Sequence, residues 1–122
     1  MPVRSLTSSV LRWPDRDTVD RAARRWAARA ARRRPDVQQI GYFGSYARGD
    51  WGVGSDLDLV IIVRDSDQPF EFRAATWDCG DLPVPAEVLV YTQAEWSLLK
   101  SRGRFGHTLA REAVWVYGGG AA

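Results

Sequence analysis

Two periods of apolar residues locate the elements of this chain. Val19, Ala22, Ala23, Trp26, Ala27 and Ala30 recur at spacings of three and four, the stripe of an amphipathic helix. Asp15 or Asp17 would cap this helix and Pro35 would stop it. Val37–Phe43 reads as a first strand. Leu57–Val63 is an almost unbroken, β-branched apolar run, as expected of a central strand buried on both faces. A loop over residues 64–69 leads to a short helix over Phe70–Trp77, and Gly80 and Pro83 mark the next turn. A third strand is expected at Val84–Tyr91. Thr92 and Glu95 then form a capping box for a helix running to about Ser101. Gly103 and Gly106 read as breaks, residues 107–112 as a helical turn or two, and Ala113–Tyr117 as a last strand. The order predicts an α/β domain, a small mixed sheet with helices packed on it. Its expected limits are residues 17–117, with an extension at 1–16 and a Gly-rich tail at 118–122.

Composition narrows the class. The 122 residues suffice for one core, and contents of 45% hydrophobic and 26% charged are ordinary for a globular domain. No apolar stretch approaches a membrane span, and the N-terminus lacks the apolar centre of a secretory leader, so a cytoplasmic location is expected. A single cysteine, Cys79, excludes an internal disulfide, and a single histidine, His107, excludes a histidine cluster. Charge is unevenly placed: residues 1–48 carry 11 basic and 4 acidic side chains, residues 49–122 carry 6 and 11. Most of the basic excess lies on the first helix. That face suits an acidic partner or RNA, or is simply the solvated side of an amphipathic helix.

The chemistry concentrates between Gly44 and Asp58. Asp56 and Asp58 stand two apart at the start of the central strand, so both carboxylates share a face. Two ionised carboxylates there repel each other and lose solvation, which a divalent cation would relieve. Hard oxygen ligands suit Mg²⁺. Ten residues earlier, Gly44-Ser45 forms a turn after the first strand. Glycine lets a ligand approach the backbone, and the N–H groups and the Ser45 hydroxyl suit phosphate oxygens. Arg48, one turn on, adds positive charge. Trp51 lies between the two halves, either edging the pocket and stacking on a base or anchoring its loop.

Gly44-Ser45, ten residues, then Asp56-Leu57-Asp58 resembles the signature of the DNA polymerase β-like nucleotidyltransferases. The form GSYARG…SDLDLVI is most similar to the minimal nucleotidyltransferases of bacteria and archaea. The similarity extends over about Val37–Tyr117. The resemblance implies a palm-like core and transfer of a nucleotidyl group, AMP from ATP, to an acceptor hydroxyl. It implies two Mg²⁺ ions on Asp56, Asp58 and a third carboxylate. Glu87 is the acid within the third strand, where the family more often has aspartate, and Asp81 is the alternative. Gly44, Ser45, Arg48 and Trp51 would bind nucleotide, and Arg73 would be exposed or reach toward it. The chain is short for a substrate domain of its own, which points to a separate acceptor. Minimal nucleotidyltransferases often occur with a helical HEPN protein, and some modify it as antitoxins. The rival expectations are a non-catalytic module that binds nucleotide or neutralises a partner, a transferase acting on a small molecule such as an aminoglycoside, and a template-independent polymerase acting on RNA.

Overall fold

The computed structural model describes residues 13–118, so all but the first residue of the expected tail at 118–122, and most of the N-terminal extension at 1–16, lie outside the described residues. Helix α1 spans Arg16–Arg33. Strand β1 is Val37–Phe43, followed by a single helical turn α2, Ser45–Arg48, and by strand β2, Leu57–Val63. A short helix α3, Phe70–Arg73, continues as one 3₁₀ turn, Ala74–Thr76. Strand β3 is Ala86–Thr92, helix α4 Gln93–Ser101, helix α5 Arg104–Glu112, and strand β4 Val114–Tyr117. The sheet runs β3-β2-β1-β4. β1 pairs antiparallel with β2 and β4, and β2 pairs parallel with β3. The expected small mixed sheet is therefore present.

The period of two in β2 divides the core. Leu57, Leu59, Ile61 and Val63 join Ile40 and Tyr42 of β1 beneath α1, where Val19, Ala23, Trp26 and Ala27 are buried. Val60 and Ile62 point to the opposite face and pack with Trp96 of α4 and Leu109 of α5. β2 is thus buried on both faces, as its apolar run predicts. Asp15 caps α1 by accepting the Thr18 N–H at 2.9 Å. Polar contacts tie the helix to the sheet and to the loop before β3. The Tyr42 hydroxyl of β1 donates to Asp20 at 2.7 Å, and the Trp26 indole N–H donates to the Asp78 carbonyl in that loop at 2.8 Å.

Three expectations change. β3 starts at Ala86 rather than Val84, because Pro85 has no N–H to give the ladder; its carbonyl instead accepts the Leu57 N–H at 2.8 Å. Arg73 neither lies exposed nor reaches toward a ligand. It is buried, pairs through two nitrogens with Glu95 at 2.6 and 3.1 Å, and donates to the carbonyls of Gln68 and Val90. Its guanidinium therefore fastens α3 to the start of α4, whose capping box forms as expected. Gly106 does not break the chain. It lies inside α5, which begins after Gly103, and its bare Cα faces the backbone of Leu99 on α4.

A methyl group at Gly106 would overlap the Leu99 carbonyl. Gly106→Ala should therefore destabilise the fold by about 1–3 kcal/mol through overpacking, although alanine is the better helix former. Urea unfolding of the two proteins checks this; equal or higher stability of the variant contradicts the close α4–α5 contact.

Candidate active site

The pairing of β1 with β2 sets Phe43 opposite Asp58. Gly44, the next residue, leaves the strand with φ +79°, a conformation that favours glycine. A Cβ there would also overlap Asp58 Oδ2. Backbone angle and space together require glycine at this position. Two pieces of sequence ten residues apart are brought into contact by one register.

The parallel register of β2 and β3 sets Glu87 opposite Asp58. Glu87 is itself exposed, between the partly buried Ala86 and Val88 of β3. Asp81 does not approach this group; it reaches Arg29 of α1 at 3.5 Å and is largely exposed. Arg29 thus finds an intramolecular partner, as does Arg24 with Asp20 at 2.8 Å, whereas Arg21, Arg25, Arg32 and Arg33 of α1 are exposed.

A cleft of about 450 Å³ opens at this end of the sheet. Gly44, Ser45, Arg48, Asp56 and Asp58 form one side, and Phe105, Thr108 and Glu112 of α5 form the other. Such a volume is ordinary for a small-ligand site. Trp51 does not line it. Its ring stacks on Tyr46, with centroids 5.6 Å apart, and packs against the core beneath α1.

The cleft is strongly acidic. Burial first, then the charges of Glu87 and Asp56, hold the Asp58 carboxyl above the ordinary aspartate range; Arg48 opposes this rise and Glu112 adds to it. Glu112 escaped the sequence reading. It is the last residue of α5, its Oε1 accepts the Gly44 N–H at 2.7 Å, and it lies 3.5 Å from Arg48 Nη1. Arg48 also pairs with Asp50 at 3.1 Å. The only signal in the sequence was an acid at the end of a helical segment, 68 residues from its partner.

Among the described residues no three Asp, Glu, His or Cys side chains converge as a ready-made metal cage. The donor chemistry nevertheless fits a hard divalent cation. Asp56 and Asp58 line one cleft, all donors are oxygens, and their mutual repulsion is a cost that a cation would remove. Mg²⁺ commonly takes one or two carboxylates and completes its shell with water and substrate oxygens.

The raised Asp58 value has a defined consequence for stability. The folded state holds its proton above the unfolded value of 3.8, so stability falls as pH rises through that window. In chelator at neutral pH, Asp58→Asn should raise the melting temperature, and near about pH 3, where both states are protonated, the gain should vanish. Added Mg²⁺ should raise the melting temperature of the wild type but not of Asp58→Asn. Thermal melts test this, and a variant less stable than wild type in chelator at neutral pH contradicts the proposed repulsion.

A family described as "nucleotidyltransferase domain" matches residues 24–105, which include β1, β2 and β3 and both halves of the motif. No curated protein matches the chain in sequence. Among solved structures, a protein of Sulfolobus solfataricus called a "putative nucleotidyltransferase" is 19% identical, with 82% of this chain and 80% of that chain covered and a TM-score of 0.58. A toxin–antitoxin with AMP-PNP is 18% identical over 80% of this chain and 75% of that one, with a TM-score of 0.47. A mutant of the toxin–antitoxin MntA-HpeT is 15% identical over the same shares, with a TM-score of 0.46. Among the described residues no helix is long and apolar enough to cross a membrane. With its glycine turn set against Asp58 and the family match spanning more than half its length, the chain belongs to the nucleotidyltransferase domain family.

Proposed function

We propose that this nucleotidyltransferase uses Mg²⁺ to transfer AMP from ATP to a hydroxyl on a HEPN-type partner protein, acting as an antitoxin. The observation that carries the chemistry is the close approach of the Gly44 turn to the carboxylate of Asp58. A free triphosphate would be repelled by this cleft, where Asp56, Asp58 and Glu112 outnumber Arg48. A cleft that rejects the bare anion and attracts cations suits a metal–triphosphate complex.

In this reading Asp56 and Asp58 hold one Mg²⁺, and Glu87 joins them for a second. Bound ions would neutralise the triphosphate and polarise the α-phosphorus. Gly44, Ser45 and Arg48 hold the outer phosphate oxygens through hydrogen bonds and charge. The acceptor oxygen attacks the α-phosphorus, forming a new P–O bond as the bond to the bridging oxygen breaks. Pyrophosphate leaves with that oxygen, and the proton of the hydroxyl, made more acidic by the second ion, passes to solvent. Most of the acceleration comes from alignment and from charge already in place. The role of Trp51 is to stiffen the loop between the two halves of the motif through its stack on Tyr46. A protein acceptor is supported by the similarity of GSYARG…SDLDLVI to the minimal nucleotidyltransferases. A cytoplasmic location belongs to the same reading, since ATP is the donor.

The test is transfer of label. With Mg²⁺ and α-labelled ATP, the wild type should label the protein product of its neighbouring gene, and Asp58→Ala should lose about 10²–10³-fold in rate. Label only on an aminoglycoside would replace the partner reading with small-molecule transfer. No label on any acceptor, together with undiminished neutralisation of the partner by Asp56→Ala, would sink the enzymatic reading in favour of a binding module.

A further inference from the structure

The cleft contains one acid that the proposed reaction does not use. Glu112 is largely buried, 18% exposed at its side chain, although three other carboxylates stand at the same end of the sheet. What holds it is a pair of donors, the Gly44 N–H at 2.7 Å and the Arg48 guanidinium at 3.5 Å. A backbone N–H beside a guanidinium is also what a phosphate oxygen seeks. The carboxylate thus stands where the reading above seats the outer phosphates. α5, which carries it, also supplies Phe105 and Thr108 to the opposite wall of the cleft.

We propose that Glu112 acts as an internal stand-in for the phosphates: it occupies the Gly44 N–H and Arg48 while the cleft is empty, and a nucleoside triphosphate must displace it. The inference rests on the nucleotidyl-transfer reading and adds a selectivity residue to it. A ligand with an anionic oxygen is the best replacement at both donors. A nucleoside without phosphates gains nothing from displacing Glu112. Because the cleft competent for phosphate is a fraction of the whole population, the apparent affinity for triphosphate is lowered by that fraction. Weak non-productive anions are excluded by the same competition.

The experiment is calorimetric titration of the full chain with a non-hydrolysable ATP analogue in Mg²⁺, and separately with adenosine. Wild type, Glu112→Ala and Glu112→Gln are compared. Glu112→Ala should bind the triphosphate at least about threefold more tightly, with adenosine binding unchanged. Glu112→Gln keeps the side-chain volume and can still accept from Gly44, but it loses the charge attraction to Arg48, so its gain should be intermediate. It serves as the test on its own if the alanine variant fails to fold. Equal or weaker triphosphate binding by the variants overturns the proposal, as does a gain shared by adenosine, which would mark a general loosening of α5. If neither wild type nor variants bind the triphosphate, the nucleotidyl-transfer reading falls with it. Triphosphate binding by wild type with no gain in the variants removes only the role of Glu112.

Discussion

The antiparallel register of β1 and β2 is the constraint on which the site depends. Phe43 opposite Asp58 puts the turn after one strand against the carboxylate at the start of the next. Side chains alternate along a strand, so a slip of one residue would turn Asp58 toward α1 and bring Leu59 to the cleft. The apolar pattern of β2 prevents this slip. Leu57, Leu59 and Ile61 are completely buried beneath α1, and Val60 is completely buried on the other side. The same burial that stabilises the sheet therefore aims the acid. β3 adds Glu87 through its parallel pairing, and α5 closes the cleft from the opposite side.

Stability and chemistry pull in opposite directions at this end of the sheet. Asp58 lies partly buried among other acids and is pushed above its ordinary range, which means that its charge works against the folded state. Nothing in packing requires such a group. In the proposed function, a bound cation and phosphate chain would restore the balance. Gly44 carries a similar compromise, with a left-handed backbone and no room for a side chain. Arg73 shows the contrasting case. It is more deeply buried than Asp58, but Glu95 and two carbonyls satisfy it, so it fastens elements together and has no part in the cleft.

Much of this arrangement was legible in the sequence because the informative residues are close along the chain. The period of α1, the apolar run of β2, the capping box at Thr92 and the spacing from Gly44-Ser45 to Asp56-Leu57-Asp58 are local patterns. Long-range partners were not legible. Glu112 meets Gly44 across 68 residues, and Arg73 meets Glu95 across 22, with no periodicity linking either pair. Gly106 was misread because its local meaning, a helix breaker, differs from its packing role against Leu99. Trp51 was read with two outcomes, and only its position in space puts the ring on Tyr46 and outside the lining of the cleft.

The central claim is that the acidic cleft accepts a triphosphate only in company with a divalent cation. Binding of a non-hydrolysable ATP analogue to the wild-type chain, measured with Mg²⁺ and then in chelator, tests it most directly. The account predicts binding in Mg²⁺ and its loss in chelator; equal affinity in both conditions would contradict it.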